Sequence, residues 1–422
     1  MAKIKSIKAR EILDSRGNPT VETKITLDNG QSTEASVPAG ESIGKYEAIE
    51  LRDGDTERYD GLGVLKAVAN VNQVIVPHLI GQDPTQQKKI DDFIIKLDGS
   101  KNKEKLGANA ILSVSQAICE AGALATGLPL YQYVSRLFLT NQTPPLLLMP
   151  VPTFNLINGG KHGAGNLEFQ EFHVIPASGR AYYQSLEMVE EIYHEVEEVL
   201  IRHGAIHSVG DEGGFAPNLF TNMDALEVIV EAIKQSGNEF RKDVFLGLDV
   251  AASHFYKNGK YSIRDRTQPI DAKELNQFYQ ELVKSYPLLI LEDPLYEDDW
   301  SGWINLTAQF KEIIIVGDDL LCTNPERLEK AIKQKACSAI LVKPNQIGTI
   351  SETMTVIKKA REGKFKVIVS HRSGETNDDF IADFAVGVQA DFTKFGAPAR
   401  GERVAKYNRL LEIEAELAIK SS

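Results

Sequence analysis

Five stretches decide the fold: FLGLDVAAS (245–253), LLILEDP (288–294), IIIVGDD (313–319), AILVKPN (339–345) and KVIVSHRSG (366–374). Each is a short apolar or β-branched run that ends in charged or polar residues, and ADFTKFG (390–396) is a weaker sixth. The closing residues are Asp249, Glu292, Asp318, Lys343, His371 and Lys394, at spacings of 43, 26, 25, 28 and 23. One strand, a loop and a crossover helix need on the order of 30 residues, so the region reads as a βα array. Continuous apolar strands imply burial on both faces, as in a parallel sheet. An open doubly wound sheet would gather its ligand groups at one switch point. Here a polar residue closes every strand, at the rim where a (β/α)8 barrel builds its active site. The barrel is the better fit.

Upstream the pattern changes. Val21, Thr23, Ile25 and Leu27 alternate with polar residues, Asp28-Asn29-Gly30 turns the chain, and a second strand runs toward Ser36-Val37-Pro38. From about Gly63 to Tyr133 the period is helical, clearest at Asn109–Ser115. Strands followed by helices make a small α+β unit. The string LTNQTPPLLLMP (139–150) has a Pro pair and no helical period. The division expected is therefore an N-terminal α+β domain over 1–138, a linker over 139–149 and a barrel over 150–422.

The 422 residues accommodate such a pair of domains. With 42% hydrophobic residues the chain can bury a sizeable core, which excludes intrinsic disorder. No run reaches the ~18 apolar residues expected of a membrane span. The net charge of −12 argues against nucleic acid as the main partner. Cys119, Cys322 and Cys337 are too scattered for a disulfide framework or a zinc site and read as reduced thiols. The charged start MAKIKSIKAREILDSRGNPTVE lacks the apolar core of a signal peptide, so a cytoplasmic protein is expected.

Asp249, Glu292 and Asp318 are three carboxylates at neighbouring strand ends. They would repel one another in a partly buried mouth unless a cation sits among them. All-oxygen donors point to magnesium rather than zinc. Lys343 follows on the next strand, where nearby cations would lower its pKa and free the amine as a base. His371-Arg372-Ser373-Gly374 offers a fork donor, a hydroxyl and backbone amides, a set suited to phosphate or carboxylate. Asn158-Gly-Gly-Lys-His162-Gly-Ala-Gly reads either as a turn cluster or as a ligand loop. In Gly210-Asp-Glu212-Gly-Gly two carboxylates stand between glycines without apolar surface, which favours backbone close to a ligand and Glu212 as an acid–base group. Gly40–Lys45 imitates a phosphate loop but has one residue too few between its glycines, and Tyr46 replaces the metal-binding hydroxyl. Asp53–Glu57 imitates a calcium loop but carries Arg58 where Gly belongs. His78, His194, His203, His207 and His254 show no ligand pairing.

These strings, together with AREILDSRGNPTVE (9–22), ELRDGD (50–55), LGANAILSVS (106–115), INGGKH (157–162), QEF (170–172), VGDEGGFAPN (209–218), EDPLYEDDW (292–300), GDDL (317–320), NQIGT (345–349), SHRSGET (370–376) and AKYNRLLEIE (405–414), are colinear with one family. The chain resembles the enolase family over nearly its whole length. The resemblance implies an α/β protein: an enolase-type (β/α)8 barrel, whose first two strands precede paired helices, with an N-terminal α+β domain. It implies a lyase that reversibly dehydrates 2-phosphoglycerate to phosphoenolpyruvate through an enediolate, in glycolysis and gluconeogenesis, with two Mg2+ per site. It further implies Asp249, Glu292 and Asp318 as ligands of the first metal and Ser42, in a mobile loop, as a ligand of the second. Lys343 becomes the base at C2, and Glu212, helped by Glu171, the acid for the leaving hydroxyl. His162, Gln170, His371, Arg372, Ser373 and Lys394 become substrate-binding positions. A homodimer or octamer is expected, with secondary surface partners in some relatives.

Four positions depart from the family pattern. Glu41 adds a charge and Ile43 removes a hydroxyl beside Ser42, changes that bear on loop closure or the second metal. Phe395 follows Lys394 where a smaller residue is usual, and His254 follows Ser253 where Glu is common. An acid-sugar dehydratase would share fold and metal, but the intact SHRSGE and GDEGG strings count against it. A catalytically dead scaffold should have lost some of Lys343, Glu212 or the acid triad, and this chain keeps them all.

Overall fold

The computed structural model describes residues 2–40, 44–139, 146–163 and 165–421. The chain opens with β1 (Ile4–Leu13), β2 (Pro19–Leu27) and β3 (Ser32–Ser36), an antiparallel sheet in that order. Only β2 and β3 match the sequence expectation. β1 hides because its register shifts between Ile4 and Ser6, so its buried residues Ile4, Ile7 and Ala9 break the period of two. The helix Ala108–Thr126 covers this sheet, with Ile111, Val114 and Ile118 packed among Val21, Ile25 and Ala35. By length and composition alone that helix is long and apolar enough to cross a membrane. It is instead a core helix, buried at every residue from Ala108 to Cys119. All three cysteines are buried and free.

The barrel begins with β4 (Val151–Asn158) and β5 (Glu171–Pro176). Two helices, Tyr182–Arg202 and Asn222–Gln235, then precede β6 (Val244–Asp249). After a small hairpin of β7 (Tyr256–Lys257) and β8 (Lys260–Tyr261) come β9 (Leu288–Glu292), β10 (Ile314–Gly317), β11 (Ala339–Val342), β12 (Lys366–Ser370) and β13 (Phe392–Lys394). They close in the order β10-β11-β12-β13-β4-β5-β6-β9. β5 runs antiparallel to both neighbours, and the remaining pairs are parallel. The paired helices after two strands follow from this: an antiparallel hairpin needs no crossover helix between its strands.

Alternate residues of each strand face inward. Ile175, Ile290, Val316, Ile368 and Phe392 form an apolar plug inside the barrel. Two residues along, β9 carries Glu292, β12 carries Ser370 and β13 carries Lys394. The interior thus grades from an apolar floor to a charged mouth. Outward-facing Leu246, Leu248, Ile315, Ile340, Val367 and Val369 join the larger core beneath the helices.

Candidate active site

Strand register assembles the mouth. Asp249 pairs with Glu292 across β6 and β9. Glu171 pairs with Asp249 and with Asn158, because antiparallel β5 presents its first residue at this rim. Ser370 pairs with Lys394. A small cavity of about 20 Å³ is lined by His162, Gln170, Glu171, Glu212, Asp249, Lys343, Ser370, His371, Arg372, Ser373 and Lys394. Ten of the residues singled out from the sequence thus meet around one space. A larger groove, about 830 Å³, lies between the N-terminal sheet and the C-terminal helices. Among the described residues its lining is rich in carboxylates, with Arg409 as the one cationic side chain and no lysine or histidine, so the small cavity is the better chemical centre.

The acids are balanced by lysines. Lys394 Nζ lies 2.9 Å from Asp249 Oδ2, 3.0 Å from Glu292 Oε1 and 3.3 Å from Glu171 Oε1. Lys343 Nζ donates to Asp318 Oδ2, and Gln346 Nε2 donates to the other oxygen at 3.0 Å. Burial, compounded by Asp249, holds Glu292 well above the usual carboxylate range despite Lys394. Burial would raise Asp318 too, but Lys343 outweighs it and the pKa is lowered. The lowered pKa expected of Lys343 depends on cations in the mouth; among the protein groups alone the balance runs the other way. Burial, Arg372 and Lys394 lower it, yet Asp318 prevails and the ammonium is strengthened. A cation bound to Asp318 would compete for that carboxylate and reverse the balance.

Ligand atoms of Glu292, Asp293 and Asp318 lie within 4.8 Å of one another, as do those of His162, Glu171 and Glu212, and either group could hold a metal ion. Asp293 was not singled out from the sequence. Its carboxylate accepts from the amides of Asp318 at 3.1 Å and Asp319 at 2.7 Å, which leaves it organising the loop that carries Asp318. Asp249, expected in that triad, is held instead by Lys394 and by Gln170 Nε2 at 3.2 Å. Hard, buried oxygen donors fit a small divalent cation. Ser42, Glu41 and Ile43 fall outside the described residues.

Across the barrel the groups differ. His162 Nδ1 lies 3.4 Å from Glu212 Oε1 and 3.5 Å from Glu171 Oε1, and its Nε2 is 3.2 Å from Ser373 Oγ. Burial would lower His162, but Glu212 and Glu171 raise it. Burial and Glu171 push Glu212 up, yet His162 and His371 win and its pKa falls to about 2. Glu171 is likewise held well below the usual range, because Lys394, His162 and His173 overcome its burial. Arg403 donates to His371 Nδ1 at 2.7 Å, so the ring proton sits on Nε2, aimed at Glu212 Oε2 3.5 Å away. Gly213, at φ +86°, turns the loop that carries Glu212. A Cβ on Gly214 would stand 2.6 Å from Asn158 Oδ1, so the two glycine-rich loops approach too closely for any other residue.

Arg372 is paired with Glu47 at 2.8 Å, and a Cβ on Gly40 would stand 1.9 Å from its guanidinium, so a larger residue there would displace the arginine. Glu47, Asn155, His173, Asn345, Gln346 and Arg403 all reach site residues and went unnoticed in the sequence. Only Asn345 and Gln346 carried a signal, directly after Lys343. Phe395 is fully buried and packs on Tyr407, ring centroids 6.1 Å apart. His254 lies on the short turn Ala252–Phe255 after β6. Among the described residues, His162 Nδ1, Gln170 Oε1 and His371 Nε2 are buried without a hydrogen-bond partner, the mark of polar atoms that can receive a ligand.

A barrel whose mouth gathers a carboxylate cage, a lysine and an acid–histidine cluster defines an acid–base enzyme with a place for a metal. Residues 4–134 match the family described as enolase, N-terminal domain, and residues 146–422 the enolase, C-terminal TIM barrel domain. The chain is 48% identical over 423 positions to an enolase of Elusimicrobium minutum (strain Pei191), an alignment covering 100% of this chain and 98% of that protein. The chain therefore belongs to the enolase family, the lyases termed phosphopyruvate hydratases.

Proposed function

We propose that the protein reversibly dehydrates 2-phosphoglycerate to phosphoenolpyruvate in a magnesium-dependent reaction, with Lys343 as base and Glu212, assisted by Glu171, as acid. The observation that carries this reading is the position of these groups around the closed barrel. β11, which leads to Lys343, and β5, which starts at Glu171, stand four strands apart in either direction of an eight-stranded ring. Base and acid therefore face each other across the cavity, as a β-elimination with departure on opposite faces requires. Asp249, Glu292 and Asp318 would hold the first Mg2+, and Ser42 would join the second. The metal would supply positive charge against the substrate carboxylate as its α-proton leaves.

The chain's own residues do the rest. Lys343, relieved of its pairing with Asp318, takes the C2 proton. Lys394 and Arg372 balance the anionic substrate. His371, with its proton on Nε2, and Ser373 orient it, and His162 and Gln170 close the other side. His162 and His371 hold the pKa of Glu212 at about 2, so it is ionised near neutral pH, which suits the hydration direction. The added negative charge of bound substrate raises its pKa and lets it carry the proton that the leaving hydroxyl needs. Purified protein should form phosphoenolpyruvate from 2-phosphoglycerate, followed by ultraviolet absorbance, and chelator should abolish the activity. Absence of turnover at every magnesium level would overturn the proposal.

A further inference from the structure

His173 has no part in the roles above, yet it is one of the most tightly placed polar groups in the barrel. On β5 it shares the inner face with Glu171 and Ile175, since residues two apart in a strand point the same way. Glu171 lines the cavity, while Ile175 belongs to the apolar plug. The imidazole therefore fills the layer between chemistry and floor. Its partner across the ladder is Gly247, where a Cβ would stand 3.2 Å from the His173 Cβ and 3.3 Å from Nδ1. The ring is 2% exposed.

Its two nitrogens are unequally served. Nε2 lies 2.8 Å from Glu171 Oε2, and Nδ1 is buried with no hydrogen-bond partner among the described residues. A carboxylate accepts, so Nε2 carries a proton toward Glu171, and Nδ1 is left without a hydrogen-bond contact of its own. An unsatisfied ring nitrogen in a core is costly, and an apolar side chain of the same bulk would fill the space without that cost. Packing alone does not account for the residue. Glu171 Oε1 meanwhile faces Lys394 at 3.3 Å and His162 at 3.5 Å.

We propose that His173 is a positioning residue for the acid half of the site, its Nε2–H pinning one oxygen of Glu171 so that the other is aimed at His162 and, through it, at Glu212. This rests on the acid roles proposed above for Glu171 and Glu212. In His173→Met, which keeps the bulk and removes the donor, kcat should fall about tenfold. KM for 2-phosphoglycerate should stay within about twofold, because the lost contact serves proton transfer rather than substrate binding. His173→Gln, whose amide can donate to the same oxygen, should recover most of kcat. In wild-type protein labelled with 15N-histidine, NMR should find His173 as the Nε2–H tautomer. An unchanged kcat in the Met variant, an equal loss in both variants, or the opposite tautomer would overturn the proposal. Should the Met variant not fold, the Gln variant's kcat and the tautomer decide it: a Gln variant with kcat as low as a donor-less site supports only packing. A wild-type protein without turnover would instead defeat the proposed reaction, and the tautomer would still test the contact.

Discussion

Lys343 pairs with Asp318, which strengthens its ammonium, whereas the proposed role as base requires the neutral amine. Lys343→Ala should lower kcat by about 10²–10⁴-fold, the contribution of one general base, and should also lower the melting temperature, because Asp318 is left buried without its cation. A turnover assay at saturating substrate checks this, and near-normal kcat would remove the lysine from the mechanism. Glu212→Gln keeps the shape and loses the transferable proton, so kcat should drop on the order of a hundredfold or more in both directions. Lys343, Asp318 and Glu292 were legible in the sequence because each interrupts an apolar run at its end. His173 and Asn155 were not, since a polar residue inside a strand on the inward face looks the same as one facing solvent. Arg403 was hidden for another reason. It arrives from the C-terminal helix Gly401–Ser421, and nothing local indicates that it is fully buried against His371.

Strands and loops show the same division. The five apolar runs became β6, β9, β10, β11 and β12, because burial on both faces writes itself as continuous hydrophobicity. β4 and β5 gave no such signal. Thr153, Asn155, Glu171 and His173 stand in them as inner-face residues of the mouth, and only family resemblance pointed to these strands. β1 was lost to its register shift. The loop Gly210–Gly214 is where local geometry bears most directly on chemistry. Gly213 sits at φ +86°, and a Cβ there would also meet the Ala399 carbonyl at 2.8 Å. Gly213→Ala therefore combines left-handed strain with a backbone clash and should cost about 1–3 kcal/mol. Thermal unfolding should show that loss. Because Glu212 is the preceding residue, kcat should fall more than stability alone explains, and a variant with wild-type kcat would mean that the loop tolerates displacement.

The N-terminal domain and the barrel share a polar seam whose charge is poorly balanced. Ser36 N donates to Asp378 at 2.7 Å, Gln116 to the same oxygen at 2.9 Å, and Ile350 N to Ser115 at 3.0 Å. Beside this seam the groove of about 830 Å³ gathers Glu22, Glu34, Glu120, Asp378, Asp379 and Asp383, with Arg409 against them. Burial pushes Asp378 up to about 6. Burial and Asp378 hold Glu120 well above its ordinary value. Such groups bind protons more tightly in the folded protein than in the unfolded chain. Their contribution to stability is complete below the ordinary carboxylate range; that of Asp378 is lost as pH rises through about 6, and that of Glu120 as pH rises through its own raised pKa. Glu171 and Glu212 act in the opposite sense, but their contribution fades only as pH falls from the ordinary carboxylate range toward about 2. The metal-free protein should therefore melt at a higher temperature near about pH 6 than near about pH 8. Glu120→Gln supplies the control, since an amide oxygen can still accept from Thr33 while the charge beside Asp378 is gone. The variant should raise the melting temperature at about pH 8 and change it little at about pH 5, measured by scanning fluorimetry in chelator. A wild-type melting temperature that climbs from about pH 6 to about pH 8, with an unchanged slope in the variant, would show that the carboxylates of the seam do not govern the stability of the whole molecule.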